Sequence, residues 1–339
     1  MYCVLLAAVS AQAFTGTYGI NYGRIANNIL SPNEVVTLLR DNVQEYLPYT
    51  QIRGIAIGNE VLGGSDEFSG FLLGAVKNVY NALDKLKLSH VVQVTTAHSQ
   101  AVFGETFPPS GAFKDNVVQY MKPLLEFFSQ IGSPFCLNAY PFLAYMYNKD
   151  QIDINYALFL PTEGADDPKT KLHYDNLLDA QIDAAYAALE NAGFGKMEVI
   201  ITETGWASHG DENEAAATAS NARTYNYNLR KRLAKMKGTP LRPKNVVKAY
   251  VFAIFNENMK PGPTSERNFG LFKPDGSISY DIGFKGLKSS SADSSLPPLK
   301  VRCFLPTLKF MLLDCSYDAG KMPNSHRKFE FSVGLAPAP

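Results

Sequence analysis

Short apolar runs alternate along this chain with longer stretches in which apolar positions return at helical spacing. The runs Tyr18 to Tyr22, Arg53 to Ile57, Val91 to Thr96, Pro134 to Tyr140, Glu198 to Glu203 and Val247 to Phe255 read as strands. Across Asp66 to Leu88 the positions Phe68, Phe71, Leu72, Ala75, Val76, Val79, Tyr80, Leu83 and Leu86 predict a helix with one face on a sheet. Further helices are predicted over Asp115 to Ile131, Leu172 to Asn191 and Glu212 to Lys237, stopped by Gly132, Gly193 and Gly238. Ser31-Pro32-Asn33-Glu34 is a capping box with proline at the first helical position, and it starts a helix over Val35, Val36, Leu38 and Leu39. Strands and helices in alternation imply a parallel sheet, either doubly wound or closed into a barrel.

The two ends of the chain fall outside this alternation. Met1 to Ala13 is an apolar run ending in Ala11-Gln12-Ala13, the small-x-small form of a signal-peptidase site, so residues 1–13 are expected to be an export leader, although one without a basic start. The run is too short to span a bilayer. Past Gly286 the segment Lys288 to Ser295 reads as a flexible linker, and residues 288–339 as a whole are expected to be linker and poorly ordered tail.

Composition narrows the partners. The 32 Lys and Arg balance 32 Asp and Glu, so no net field recruits nucleic acid or an anionic membrane, and a neutral polymer suits such a surface. The 18 Tyr and 21 Phe are numerous, and although most such rings are core, any exposed in a groove would stack on sugar faces. The four cysteines form no framework: Cys3 lies in the leader, Cys136 reads as a buried thiol, and only Cys303 and Cys315 are close enough to pair. His90, His98, His173, His209 and His326 lack ligand spacing, so neither a metal nor another cofactor is expected.

Candidate chemistry sits where two strands end. Ile55-Ala56-Ile57-Gly58-Asn59-Glu60 is an apolar strand stopping in a glycine, an amide and a carboxylate, and Val199-Ile200-Ile201-Thr202-Glu203-Thr204-Gly205-Trp206 repeats that logic. Residues just past the carboxyl ends of parallel strands line the functional face, so both acids would point into one cleft. Either glutamate alone reads as readily as a capping or ion-paired group. The pair is the minimum equipment for breaking a glycosidic bond, and Asn59 adds an amide for the sugar's 2-hydroxyl.

Several segments carry a more specific likeness. Gly19-Ile20-Asn21-Tyr22-Gly23-Arg24, Ile57-Gly58-Asn59-Glu60-Val61, Leu137-Asn138-Ala139-Tyr140-Pro141-Phe142, Thr202-Glu203-Thr204-Gly205-Trp206 and Phe255-Asn256-Glu257-Asn258-Met259-Lys260 resemble, in order, the family 17 glycoside hydrolases, the plant endo-1,3-β-glucanases. The similarity covers residues 17–287. It implies a (β/α)8 TIM barrel that retains anomeric configuration while cutting internal β-1,3-glucosidic bonds of callose or fungal wall glucan. By the matching motifs Glu60 would be the acid/base and Glu203 the nucleophile. Glu257, Lys260 and Glu266 would form a charged cluster behind the nucleophile, and Tyr22, Asn59, Tyr140 and Phe255 would contact sugar. A retaining pair stands about 5 to 5.5 Å apart, so ionised Glu203 is expected to raise the pKa of Glu60, and Lys260 to keep Glu203 ionised. The same resemblance implies a monomer acting on β-1,3-glucan in the extracellular space or cell wall, in plant defence.

The chain also departs from that pattern. Six strands are visible where the family has eight, and between Gly23 and Arg53 there is room for one helix and little else, since a complete βα repeat needs about 30 residues. Two βα units are therefore expected to be missing, with the seam near Arg40-Asp41. Their loss would leave two strands facing a gap with unpaired edges. The alternative reading is thus a catalytically impaired glucan-binding chain or a non-functional truncated form. The tail shows neither the cysteine pattern of a carbohydrate-binding module nor a terminal hydrophobic run, so an unanchored, secreted protein is expected.

Overall fold

The first strand of the barrel lies beside the last, and that adjacency decides between the two parallel-sheet architectures. The computed structural model describes residues 2–7, 18–25, 32–47, 52–64, 66–104, 106, 111–281, 301–302 and 331–332, with backbone alone at 2–7, 18–25, 66, 301–302 and 331–332. In chain order the elements are β1 (Tyr2–Ala7), β2 (Tyr18–Ile25), α1 (Pro32–Leu39), β3 (Gly54–Asn59), α2 (Leu72–Lys85), β4 (Gln93–Ser99), α3 (Asp115–Ile131) and β5 (Phe135–Asn138). There follow α4 (Pro141–Tyr147), α5 (Ile154–Ala157), the hairpin β6 (Ala165–Asp166) and β7 (His173–Tyr174), α6 (Leu177–Asn191), β8 (Val199–Thr204), α7 (Ala219–Ala234) and β9 (Ala249–Val251). The seven-stranded sheet runs β1-β2-β9-β8-β5-β4-β3, parallel throughout except for β1. A chain that steps from β3 to β9 in order and then pairs β9 with β2 follows the cyclic strand order of a barrel and not the reversed order of double winding, and among the described residues the outer edge of β3 carries no ladder.

The expected gap between β2 and β3 is occupied in part. β1, inside the segment read as a leader, pairs antiparallel with β2 from Tyr2↔Ile25 to Ala7↔Ile20 and lies next to β3 without a ladder to it. The free edge of β2 foreseen from the missing units is therefore covered along that register. A leader removed on export would take this strand with it.

Where the seam was expected, near Arg40-Asp41, the helix changes its winding. α1 passes straight into a π-helical turn, Arg40–Gln44, closed by Glu45 N donating to Arg40 O at 3.1 Å. A wide turn holds one residue more than the α-helix it continues. Val35, Leu39 and Val43, spaced by four, are all buried.

Other boundaries moved for identifiable reasons. The helix expected from Asp66 begins as a 3-10 turn, Asp66–Phe71, before α2. The helix expected from Leu172 starts at Leu177, because Asn176 accepts from Asp179 N at 2.9 Å as its cap while His173–Tyr174 joins the small hairpin. Glu212–Lys237 divides into a 3-10 turn with a capping box on Asp211 and then α7, capped by Thr218. α3 and its stop at Gly132, with φ +69°, fall where the sequence places them. The last strand is three residues long instead of nine, since beyond Val251 the backbone turns to Phe269 and Leu271: Ala253 N donates to Phe269 O and Leu271 N to Ala253 O. Of the tail, only Val301–Arg302 and Phe331–Ser332, paired in parallel, are described. The Cys303 and Cys315 pair, Ser31 of the capping box and most of residues 288–339 lie outside the described residues.

Two apolar layers hold the strands. Ala56, Ala97, Cys136, Ile200 and Tyr250, one from each of β3, β4, β5, β8 and β9, fill the inside of the barrel. Ile55, Ile57, Val94, Leu137 and Ile201 face the other way, into the packing beneath the helices. Burying each of these larger side chains contributes about 1.5 to 3 kcal/mol.

Candidate active site

Strand periodicity alone would aim the functional side chains wrongly, and both acids follow a slip in register that corrects it. With Ala56 pointing inward, strict alternation turns Asn59 outward. The β3/β4 register instead shifts between Ala56 and Asn59, and Gly58 takes up the extra residue at φ +74°. A glycine in the left-handed region is the usual seat of such a bulge. On β8, Thr202 donates to Asn138 Oδ1 inside the barrel at 2.8 Å, whereas Thr204 shares a hydrogen bond with Tyr225 on α7, outside it. Two residues apart on one strand cannot face opposite ways without an added residue, and the register does slip between Ile201 and Thr204. Glu203 is the residue thereby turned to the cleft.

Asn138 ties the two strand ends together. Its amide nitrogen donates to Asn59 Oδ1 at 3.0 Å and to Glu60 Oε1 at 2.8 Å, while its oxygen accepts from Thr202. Two residues further on, the Tyr140 hydroxyl donates to Glu203 Oε2 at 2.8 Å. The backbone adds its own clamps: Glu60 N donates to Ala97 O and Ala139 N to Glu203 O, both at 2.9 Å. Glu60 itself has φ +53°, a strained conformation for a residue with a Cβ, which these bonds hold in place.

Electrostatics act first on Glu60. Desolvation at the strand end is the first cause of the raised pKa of Glu60, opposed by the Asn138 hydrogen bond and the Lys260 charge and reinforced by Glu266. The push expected from Glu203 is not the leading one: loss of solvent comes first, and the added carboxylate is Glu266. Glu60 as a residue keeps exposed surface although its carboxyl is desolvated by the protein around it, while Glu203 is 5% exposed. Tyr140 is pushed well above its ordinary value, by burial first and then by Glu203 and Glu60. Burial alone would lower Lys260, but its hydrogen bond to Glu266 at 2.8 Å and the charges of Glu266, Glu257 and Glu203 outweigh that and raise it. Glu257 stands 3.7 Å away on the same ammonium, which also lies 5.2 Å over the Phe252 ring.

The structure therefore brings together Asn59, Glu60, Tyr140, Glu203, Glu257, Lys260 and Glu266. Phe255 bridges to Phe272, with ring centroids 6.0 Å apart. The Tyr22 side chain lies outside the described residues. Missed by sequence reasoning were Asn138 and Thr202, although both stand inside the quoted segments, and the rings of Phe252 and Phe269, which meet Tyr140 edge-on at 6.3 and 5.5 Å. Trp206, close behind Glu203 in sequence, is wholly buried and donates to Ala216 O, so it is core. A cavity of about 740 Å³ lined by Gln93, Ser133, Lys196 and Glu198 opens at the opposite, amino-terminal ends of the strands and contains neither acid. Among the described residues no group of three or more His, Cys, Asp or Glu could hold a metal ion, and no helix is long and apolar enough to cross a membrane.

Comparison with known proteins agrees with this arrangement. Residues 37–284 match the family described as glycosyl hydrolases family 17. The chain is 42% identical over 321 residues to glucan endo-1,3-beta-glucosidase 14 of Arabidopsis thaliana, covering 79% of this chain and 82% of that protein. That alignment is longer than the part of this chain within it, so the relative has residues with no counterpart here. Identity to glucan endo-1,3-beta-glucosidase 11 of the same plant is 49% over 282 residues, covering 80% of this chain and 66% of the relative. Among solved structures, CJP38, a beta-1,3-glucanase and allergen of Cryptomeria japonica pollen, superposes with a TM-score of 0.70 at 41% identity, over 74% of this chain and 78% of that one.

Proposed function

Since the chain belongs to glycosyl hydrolases family 17, we propose that it hydrolyses internal β-1,3-glucosidic bonds of β-1,3-glucans with retention, Glu60 serving as acid/base and Glu203 as nucleophile. One observation carries the assignment of roles: β5 and its next residues hold both carboxylates, Asn138 the first and Tyr140 the second. Glu60, whose pKa is raised by desolvation first, gives its proton to the bridging oxygen as the bond from that oxygen to C1 breaks. Ionised Glu203 bonds to C1 from the opposite face. Water then attacks C1, its proton passes to Glu60, and the bond to Glu203 breaks, so two inversions leave the configuration unchanged. Lys260 stabilises the charge on Glu203, and Asn59, whose oxygen is turned to Asn138, presents its NH2 to a sugar hydroxyl.

The geometry does not favour the alternative of an impaired binder, because both acids keep their partners across the strand ends despite the absent units. The experiment is release of reducing ends from a linear β-1,3-glucan. Glu60→Gln and Glu203→Gln should each lose about a thousandfold or more in kcat; a Glu203→Gln chain that cuts like wild type ends the assignment.

Export to the extracellular space or wall, with callose or fungal wall glucan as the natural polymer and defence as the setting, belongs to the same proposal and rests on Ala11-Gln12-Ala13. Protein recovered from the medium of a plant expression host should begin at Phe14. A secreted chain still beginning at Met1 would count against a leader. A monomer is proposed too, read by sedimentation.

A further inference from the structure

We propose that Phe68 and Phe71 form an aromatic platform that carries the leaving-group end of the glucan chain beyond Glu60. The proposal rests on the reading of Glu60 and Glu203 given above. Helical spacing predicts both rings on the sheet-facing side of a helix, and the structure places them elsewhere. They stand on the 3-10 turn that precedes α2, Phe68 50% and Phe71 72% exposed, while Ser69 between them is 3% exposed. A turn of three residues eclipses positions three apart, so the two rings share the side that faces solvent.

This turn is fixed close to the acid. A Cβ on Gly58 would lie 3.3 Å from Leu72 Cδ1, so the residue after Phe71 packs on backbone two residues before Glu60. A Cβ on Gly63 would lie 2.7 Å from the Ala101 backbone, and Leu62 is 1% exposed. Leu72, next to Phe71, is therefore held against the top of β3, and Gly63 against the residues that follow β4. Two large apolar rings held in water beside such a contact have lost the usual reason for exposure, since burying each would contribute about 2 kcal/mol.

Strand order gives the direction of the occupant. Glu203 stands on β8 and Glu60 just past β3, with β5 and β4 between them. A polysaccharide lying across both acids leaves the site over the segment that follows β3. Glu60 protonates the oxygen that departs with the leaving sugar, so the units beyond it are those of the leaving chain. On the other side, Tyr140, Phe252 and Phe269 pack edge-on against one another. Phenylalanine offers only a face, without hydrogen bonds, which suits the C–H face of successive glucose rings and grips chain length instead of linkage detail.

The test uses the full chain carrying Glu203→Gln, so that bound glucan is not consumed, and titrates it with a linear β-1,3-glucan hexasaccharide. Phe68→Ala/Phe71→Ala should weaken binding of the hexasaccharide about tenfold, and Phe71→Trp in place of Phe71→Ala should restore it. In the active chain the double variant should also lower the ratio of transfer to hydrolysis. In transfer the acceptor's 3-hydroxyl oxygen bonds to C1 as the bond to Glu203 breaks, and the hydroxyl proton passes to Glu60; that acceptor occupies the leaving-group side. Unchanged hexasaccharide affinity in a Glu203→Gln chain that binds glucan overturns the platform and leaves the catalytic reading standing. A wild-type chain that neither binds nor cuts the hexasaccharide overturns both.

Discussion

The Asn138 amide donates to Glu60 Oε1 at 2.8 Å across 78 residues of chain, and its other end accepts from Thr202, the neighbour of Glu203. One buried side chain thus sets the position of the proton donor and reads the position of the strand that carries the nucleophile.

Replacing Asn138 with alanine should lower kcat by about ten- to a hundredfold, the range for losing one positioned polar group. The bond it makes lowers the pKa of Glu60, so its loss should let that pKa rise further. The alkaline limb of the profile of kcat/KM against pH, which reports the proton donor, should move to higher pH; a limb that stays put would separate Asn138 from the acid.

Tyr140→Phe removes the hydroxyl that donates to Glu203 Oε2. A donor to the ionised form favours it, so the acidic limb of the same profile should shift upward and kcat fall about tenfold. The melting temperature is the control, because the ring and its contacts with Phe252 and Phe269 stay.

Gly58→Ala should damage activity more than its stability cost explains. A Cβ there would lie 2.8 Å from Val61 Cγ2, at a φ of +74°. The substitution should cost about 1 to 2 kcal/mol in a denaturant melt and, by shifting the bulge, turn Asn59 and Glu60 away from Asn138. Loss of kcat no larger than an equally destabilising core substitution produces would leave the bulge without a role in aiming.

Stability against pH should show two opposed slopes. His98, buried against Phe135, falls from 6.5 to about 3 through desolvation, so its contribution is full above pH 6.5 and is lost as pH falls, the unfolded chain binding a proton the fold refuses. Asp183 is raised from 3.8 to about 6, by burial first, so its contribution is present below 3.8 and lost as pH rises through about 6. Between those values each slope is at most about 1.4 kcal/mol per pH unit, with opposite sign. His98→Leu should leave stability falling with pH across this window, and Asp183→Asn should leave it rising. Melts that show the same pH dependence in both variants would contradict the assignment.

The strands were legible because runs such as Ile55 to Ile57 and Val199 to Ile201 are buried on both faces and need no alternation. The pairing of the first parallel strand with the last was not, since nothing local says that Tyr18–Ile20 will pair with Ala249–Val251. The two glutamates could be placed at strand ends, but alternation gives no warning of a bulge, and only Gly58 hinted at one. Asn138 escaped notice because a buried amide declares itself through partners that are distant in sequence. Phe68 and Phe71 carry helical spacing, yet the backbone tightens there, and the apolar period continues past the helix that it predicts. The shortness of β9 depends on Phe269 and Leu271, some eighteen residues ahead.

The wide turn at Arg40–Gln44 bears on how a helix can absorb a change in the length of the chain that runs through it. Residues four apart drift about 40° around an α-helix, so a third apolar residue at that interval begins to swing off the core. A turn that takes more residues per revolution rotates the next one back, and Val43 is buried in the same core cluster as Leu39. Underwinding of this kind resets the phase of whatever follows, which makes a helix a forgiving place to join two pieces of polypeptide whose lengths were never matched.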